Sequence, residues 1–172
     1  IPTVHPFTLL GLTDNPKLQL LNANSFSKAD LPKHNKFLFN PSNNLKIKIA
    51  YLSPDFHNHA VSSLIVELIE SHDPNKFETY GIYFAYRRSD EMHKRISSAF
   101  HNFFIVASLS DLEICNLLRS MKIDIAVDLA GHTDNARTNV FKYKCAPIQI
   151  NYLGYPGTIG GDFFDYIIVD KI

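Results

Sequence analysis

The sequence carries no excess of charge of either sign: 17 basic residues balance 17 acidic ones. A chain without a net field or a basic stripe has no electrostatic footprint for nucleic acid or an anionic membrane surface. Cysteine is scarce, and Cys115 and Cys145 form neither a CxxC pair nor a zinc spacing. That removes a disulfide framework, a thioredoxin-like redox motif and a zinc site from consideration. Both cysteines sit beside apolar residues and are expected as buried free thiols, which favours a reducing, cytoplasmic setting. No apolar stretch is long enough to span a bilayer, and the start lacks a charged segment followed by an apolar run. There is no internal repeat and no low-complexity tract. A P-loop with its Gly-Lys-Ser/Thr end and a G-x-G-x-x-G fingerprint are both missing, which argues against P-loop hydrolysis and a standard dinucleotide site.

What is present is globular. Of 172 residues, 45% are hydrophobic and 20% charged, enough for one packed core. The opening on Ile1 in place of Met is what a piece of a longer protein would show.

From Lys46 onward apolar runs alternate with helical patterns. Strands are predicted at Lys46–Leu52, Phe77–Phe84, Phe103–Val106, Ile123–Leu129, Ile148–Leu153 and Tyr166–Val169. Between them, Val61, Leu64, Ile65, Leu68 and Ile69 fall on one helical face, and Pro74 ends that helix. A second helix is predicted from near Ser89, with Met92, Ile96, Ala99 and Phe100 inward. Ser110-Asp-Leu-Glu113 is a capping box, and Ile114, Leu117, Leu118 and Met121 follow as a stripe. Strands apolar on both faces, separated by helices, predict an α/β fold: a Rossmann-like parallel sheet covered on both sides. Residues 1–45 differ, being rich in Asn, Pro, Ser and Lys with one short helix around Pro16–Phe26. They read as an appendage or connector, and 46–172 as the sheet domain.

In an open parallel sheet, ligands bind beyond the C-terminal strand ends. Three polar or glycine-rich loops leave strands there: Ser53–His59, Ala130–Arg137 and Gly154–Gly161. In the first, Asp55 beside His59 could set an imidazole tautomer for acid–base work; the plainer reading is a structural loop with Asn58 as helix N-cap. His57 and His59 without a matched third ligand are weak evidence for metal, and none is expected. In the second loop, Gly131 suits a positive φ, Thr133 a helix start, and Arg137 either a solvated helix position or a substrate contact. The third loop lets backbone approach a ligand closely, or is simply a compact turn between two strands.

Together these blocks carry a resemblance. KIAYLSPDFHNHAVSSL, VDLAGHTDNARTNVF and APIQINYLGYPGTIGGDFFDYIIVD, with PTVHPFTLL at the start, resemble the O-linked N-acetylglucosamine transferase family. The resemblance covers nearly the whole chain. It implies the N-terminal lobe of the catalytic region of an inverting, metal-independent GT-B enzyme that moves a sugar from a nucleotide donor to Ser or Thr of proteins. UDP-N-acetylglucosamine is the expected donor, held mainly by a C-terminal lobe, and helical TPR repeats usually precede the catalytic region in this family. No cofactor is implied. By motif, Asp55, His59 and His5 match residues proposed as catalytic. Leu153, Gly154 and Pro156 match the sugar pocket, with Tyr155 added to the substrate-binding set, and Arg137 matches the acceptor side. Asn58, His132 and Thr133 join the binding set, with His132 standing where some relatives carry Tyr. The competing readings are a non-catalytic acceptor-peptide module and another doubly wound domain. A response-regulator role lacks its acidic cluster.

Overall fold

The computed structural model describes residues 3–28, 39, 43–86 and 90–171. Six strands form one sheet: β1 Ile47–Ser53, β2 Phe77–Tyr83, β3 Asn102–Ile105, β4 Ile125–Asp128, β5 Ile148–Tyr152 and β6 Tyr166–Ile168. Every pairing is parallel, in the order β3-β2-β1-β4-β5-β6. β1 and β4 therefore lie side by side where the chain reverses its direction of travel across the sheet. Such a switch point opens a crevice between the loops that follow its two strands.

Period-two alternation makes this a two-faced sheet. Along β1, Ile49 and Tyr51 enter one apolar cluster while Ala50 and Leu52 enter the other. Helices α3 (Ala60–Glu70) and α4 (Glu91–Ala99) cover the first face through Ile65, Ile69 and Ile96. On the second face, α5 (Asp111–Ser120) and the short α6 (Asn139–Lys142) supply Ile114, Leu118 and Phe141. The Ser110 capping box forms as expected, with Glu113 reaching back to the Ser110 amide. Helix α4 is capped by Asp90, whose carboxylate accepts from the His93 amide; Ser89 lies outside the described residues.

Several local expectations shift. The inward face of α3 is Val61, Ser62, Ile65, Val66 and Ile69, while Leu64 and Leu68 are exposed. Ser62 turns inward because its hydroxyl donates to the Asp55 carbonyl at 2.6 Å. No helix begins at Thr133: residues 131–138 run through turns, with Gly131 at φ 58° as expected and Asn135 also left-handed at φ 60°. A left-handed residue interrupts helical propagation, so α6 starts only at Asn139. β6 is not buried on both faces; Tyr166, Ile167 and Ile168 are all exposed. β5 and β6 are parallel, so residues 153–165 form a crossover and not a tight turn.

The N-terminal segment contributes α1 (Pro6–Leu10), which the sequence did not announce, and α2 (Pro16–Lys28). It packs on the crossover after β5. Asn24 accepts from the Gly161 amide at 2.8 Å, and Ser27 donates to the Ile159 carbonyl at 2.8 Å. Gly160, at φ 68°, is required here: a Cβ would lie 2.5 Å from the Ala23 backbone.

Candidate active site

The loop leaving β1 is pinned at both ends. Ser53 accepts from the Asp55 amide at 3.0 Å, and Phe56 is fully buried in the core. His59 occupies the N-cap of α3, where its Nδ1 accepts from the Val61 amide at 3.2 Å. The cap is thus His59 and not Asn58, whose backbone N–H instead donates to the Asp90 carboxylate. This has a chemical consequence. A neutral imidazole that accepts at Nδ1 carries its proton on Nε2. The Asp55 carboxylate, 3.8 Å from the same Nδ1, is beyond hydrogen-bond reach. The helix amide, and not the carboxylate, therefore sets the tautomer. Burial pushes the Asp55 carboxyl above its ordinary range, an effect that His59 and His57 nearby oppose.

Asp55 and His59 open onto a cleft of about 550 Å³. Its other walls are His5, Phe7 and Thr8 from the N-terminal segment, Thr133, Asp134 and Asn135 after β4, and Gly154 after β5. Three strand ends and α1 thus converge on one hollow. Gly154 has no alternative: a Cβ would sit 1.8 Å from the Leu129 carbonyl oxygen. No lysine or arginine is among these lining residues. Among the described residues there is no cluster of three or more metal-ligating side chains.

The remaining sequence candidates divide. Leu153, Tyr155 and Pro156 line a second groove of about 920 Å³, bounded by Pro16, Gln19 and Leu20 of α2 and by Ile167 and Ile168 of β6. Leu153 adopts φ 71° there, a conformation uncommon for a branched side chain. His132 is buried beneath the cleft, donating from Nε2 to the Ile159 carbonyl at 2.7 Å and meeting Phe26 and Tyr155 edge-on. Desolvation holds its pKa below the usual imidazole range. Arg137 turns away from the cleft. Its guanidinium pairs with Asp111 at 2.6 Å, donates to the carbonyls of Leu109 and Val106, and lies over the Phe84 ring. Its partner is the first residue of α5, so it is neither a solvated helix residue nor a wall of the cleft. Sequence reasoning missed Asp128 and Asn151, whose side chains bond to each other beneath the cleft. A carboxylate closing a strand just before a Gly turn was the available signal for Asp128.

With this geometry in view, kinship becomes informative. The profile of glycosyl transferase family 41 matches residues 2–172. The chain belongs to glycosyl transferase family 41. It is 32% identical over 126 residues to the probable UDP-N-acetylglucosamine–peptide N-acetylglucosaminyltransferase SEC of Arabidopsis thaliana, covering 73% of this chain and 13% of that protein. To the UDP-N-acetylglucosamine–peptide N-acetylglucosaminyltransferase of Caenorhabditis elegans it is 30% identical over 139 residues, covering 78% of this chain and 12% of that one. A solved structure of a mutant Thermobaculum terrenum O-GlcNAc transferase superposes with TM-score 0.87 at 26% identity, over 97% of this chain and 33% of the other. The chain thus spans only about an eighth of the length of these curated relatives. The expected Rossmann-like sheet with helices on both faces is the architecture found.

Proposed function

We propose that this family 41 chain forms the N-terminal lobe of the catalytic region of an inverting, metal-independent glycosyltransferase. In this reading it transfers N-acetylglucosamine from UDP-N-acetylglucosamine to Ser or Thr hydroxyls of proteins. The observation that carries it is the convergence of His5, Asp55 and His59 with Gly154 on one cleft at the switch point of the sheet. The acceptor hydroxyl oxygen attacks the anomeric carbon, the bond from that carbon to the diphosphate oxygen breaks, and UDP leaves with the electron pair. Asp55 takes the hydroxyl proton, a task suited to a carboxyl whose basicity burial has raised. His59 donates from Nε2 to a ligand oxygen, and His5 joins from the α1 side of the same cleft. Gly154 and Thr133 complete the wall of the cleft, and Leu153, Tyr155 and Pro156 shape the neighbouring groove on the sugar side, while His132 and Arg137 support the loop after β4 from within.

The leaving diphosphate needs positive charge, and the lining residues include no lysine or arginine. That supports placing the nucleotide mainly on a C-terminal lobe. A cytoplasmic setting is part of the reading, supported by the two buried free thiols. Among the described residues no helix is long and apolar enough to cross a membrane.

The test is transfer by the intact protein. It should move labelled N-acetylglucosamine from UDP-N-acetylglucosamine onto Ser/Thr peptides in the presence of EDTA, with inversion at the anomeric carbon by proton NMR. Isolated residues 1–172 should show neither transfer nor micromolar UDP affinity. Peptide binding by the intact protein without any transfer would replace this reading with a non-catalytic acceptor-peptide module.

A further inference from the structure

Asp128 closes β4 and is 1% exposed, yet among the described residues no charged side chain is paired with it. Its carboxylate is nevertheless fully engaged. Oδ1 accepts from the Ala130 amide at 3.0 Å, while Oδ2 accepts from the Gly131 amide at 3.0 Å and from Asn151 Nδ2 at 3.0 Å. The first two bonds fold the chain after β4 into the turn that carries Thr133, Asp134 and Asn135 to the cleft. The third reaches across to Asn151 on β5, three residues before the backbone crowds Leu129 at Gly154. Both loops are therefore fastened to one rigid group below the floor of the cleft.

We propose that Asp128 is a positioning residue: its carboxylate, with Asn151, fixes the spacing between the loop after β4 and the loop after β5. It touches no reacting atom. The catalytic consequence rests on the proposed transferase reading; the positioning itself does not. An amide in place of the carboxylate would present Nδ2 to a backbone donor, so at least one of the three bonds is lost without change of volume. Buried networks of this kind behave as a unit, so breaking one bond loosens the others.

The experiment compares the intact wild-type protein with Asp128→Asn and Asn151→Ala, by hydrogen exchange and by transfer kinetics. In Asp128→Asn, amide exchange in residues 130–135 and 152–155 should accelerate at least roughly 10-fold, with strands β1 and β2 unchanged. Turnover should drop on the order of 100-fold with KM moved far less, because misplaced groups lower kcat without removing ground-state contacts. Asn151→Ala keeps the turn and loses only the tie, so it should loosen 152–155 selectively and lower kcat by a smaller factor. It also keeps the proposal testable should Asp128→Asn fail to fold. Folded variants with unchanged exchange in both loops would overturn the proposal, as would a kcat equal to wild type despite loosened loops. A wild-type protein without transferase activity would defeat the functional reading alone, and the exchange measurements would still decide whether Asp128 positions the loops.

Discussion

The loops after β1 and after β4 leave adjacent strands at the same switch point, yet they use their polar side chains in opposite ways. After β1, Asp55 and His59 face the cleft while the Ser53 and Ser62 hydroxyls hold the loop from behind. After β4, the most conspicuous polar residues point inward: Asp128 ties the turn, His132 props the Ile159 carbonyl, and Arg137 grips α5. Only the inconspicuous Thr133, Asp134 and Asn135 reach the hollow. The first loop gains its rigidity from a long helix that starts at once. The second has no helix until Asn139 and is held by side chains in its place. A charged residue near a cleft is thus a weak pointer to chemistry when the local backbone has no other support.

The comparison can be broken most forcefully where the strand-end loops touch. Gly154→Ala places a methyl against the Leu129 carbonyl, a clash no rotamer relieves. We expect a loss of more than about 4 kcal/mol, or failure to fold, by urea denaturation. A near-neutral effect would show that the two loops are not in fixed contact.

Next in size is Arg137→Ala. It strands Asp111 and two part-buried carbonyls, and stability should fall by about 2–3 kcal/mol. The KM for protein acceptors should stay unchanged in the folded fraction. The converse, a raised acceptor KM at wild-type stability, would return Arg137 to the binding surface and erase the contrast drawn here.

His59→Asn sharpens the contrast from the other side. Asn is a good N-cap, so thermal stability should hold within about 0.5 kcal/mol. Turnover, by contrast, should fall on the order of 100-fold through loss of the imidazole. Equal losses in both would assign His59 to the helix alone.

The smallest effect is one of pH. Burial lifts the Asp128 carboxyl to about 6, against an unfolded value near 3.8. Folding therefore favours the protonated form. The associated stability is present below the unfolded value and is lost as pH rises through about 6. The unfolding free energy of wild type relative to Asp128→Asn, from urea titrations, should decline by about 2 kcal/mol between pH 4 and 6.5, then level off. The reference variant cancels Asp55, whose folded-state pKa is raised in the same direction. A flat difference would mean that the carboxylate is not desolvated.

Periodicity made most of the fold legible. Apolar runs spaced by capped helices are enough to specify a parallel two-faced sheet, because burial on both faces and helix initiation are local properties written in consecutive residues. The same holds for the Ser110 cap, the positive φ of Gly131, and the loops that gather at one edge. Tertiary structure alone decided which polar atoms face solvent. Ser62 turns inward for a carbonyl seven residues away, Arg137 reaches from its loop to Asp111 on α5, and Asn24 meets Gly161 across most of the chain. β6 reads as an interior strand but lies exposed at the sheet edge, since composition records what a strand can bury and not what covers it. The physical reason is range. Hydrophobic pattern and capping act within a few residues, whereas a buried polar group is satisfied by whichever partner the packed chain brings within 3 Å or so, at any separation in sequence.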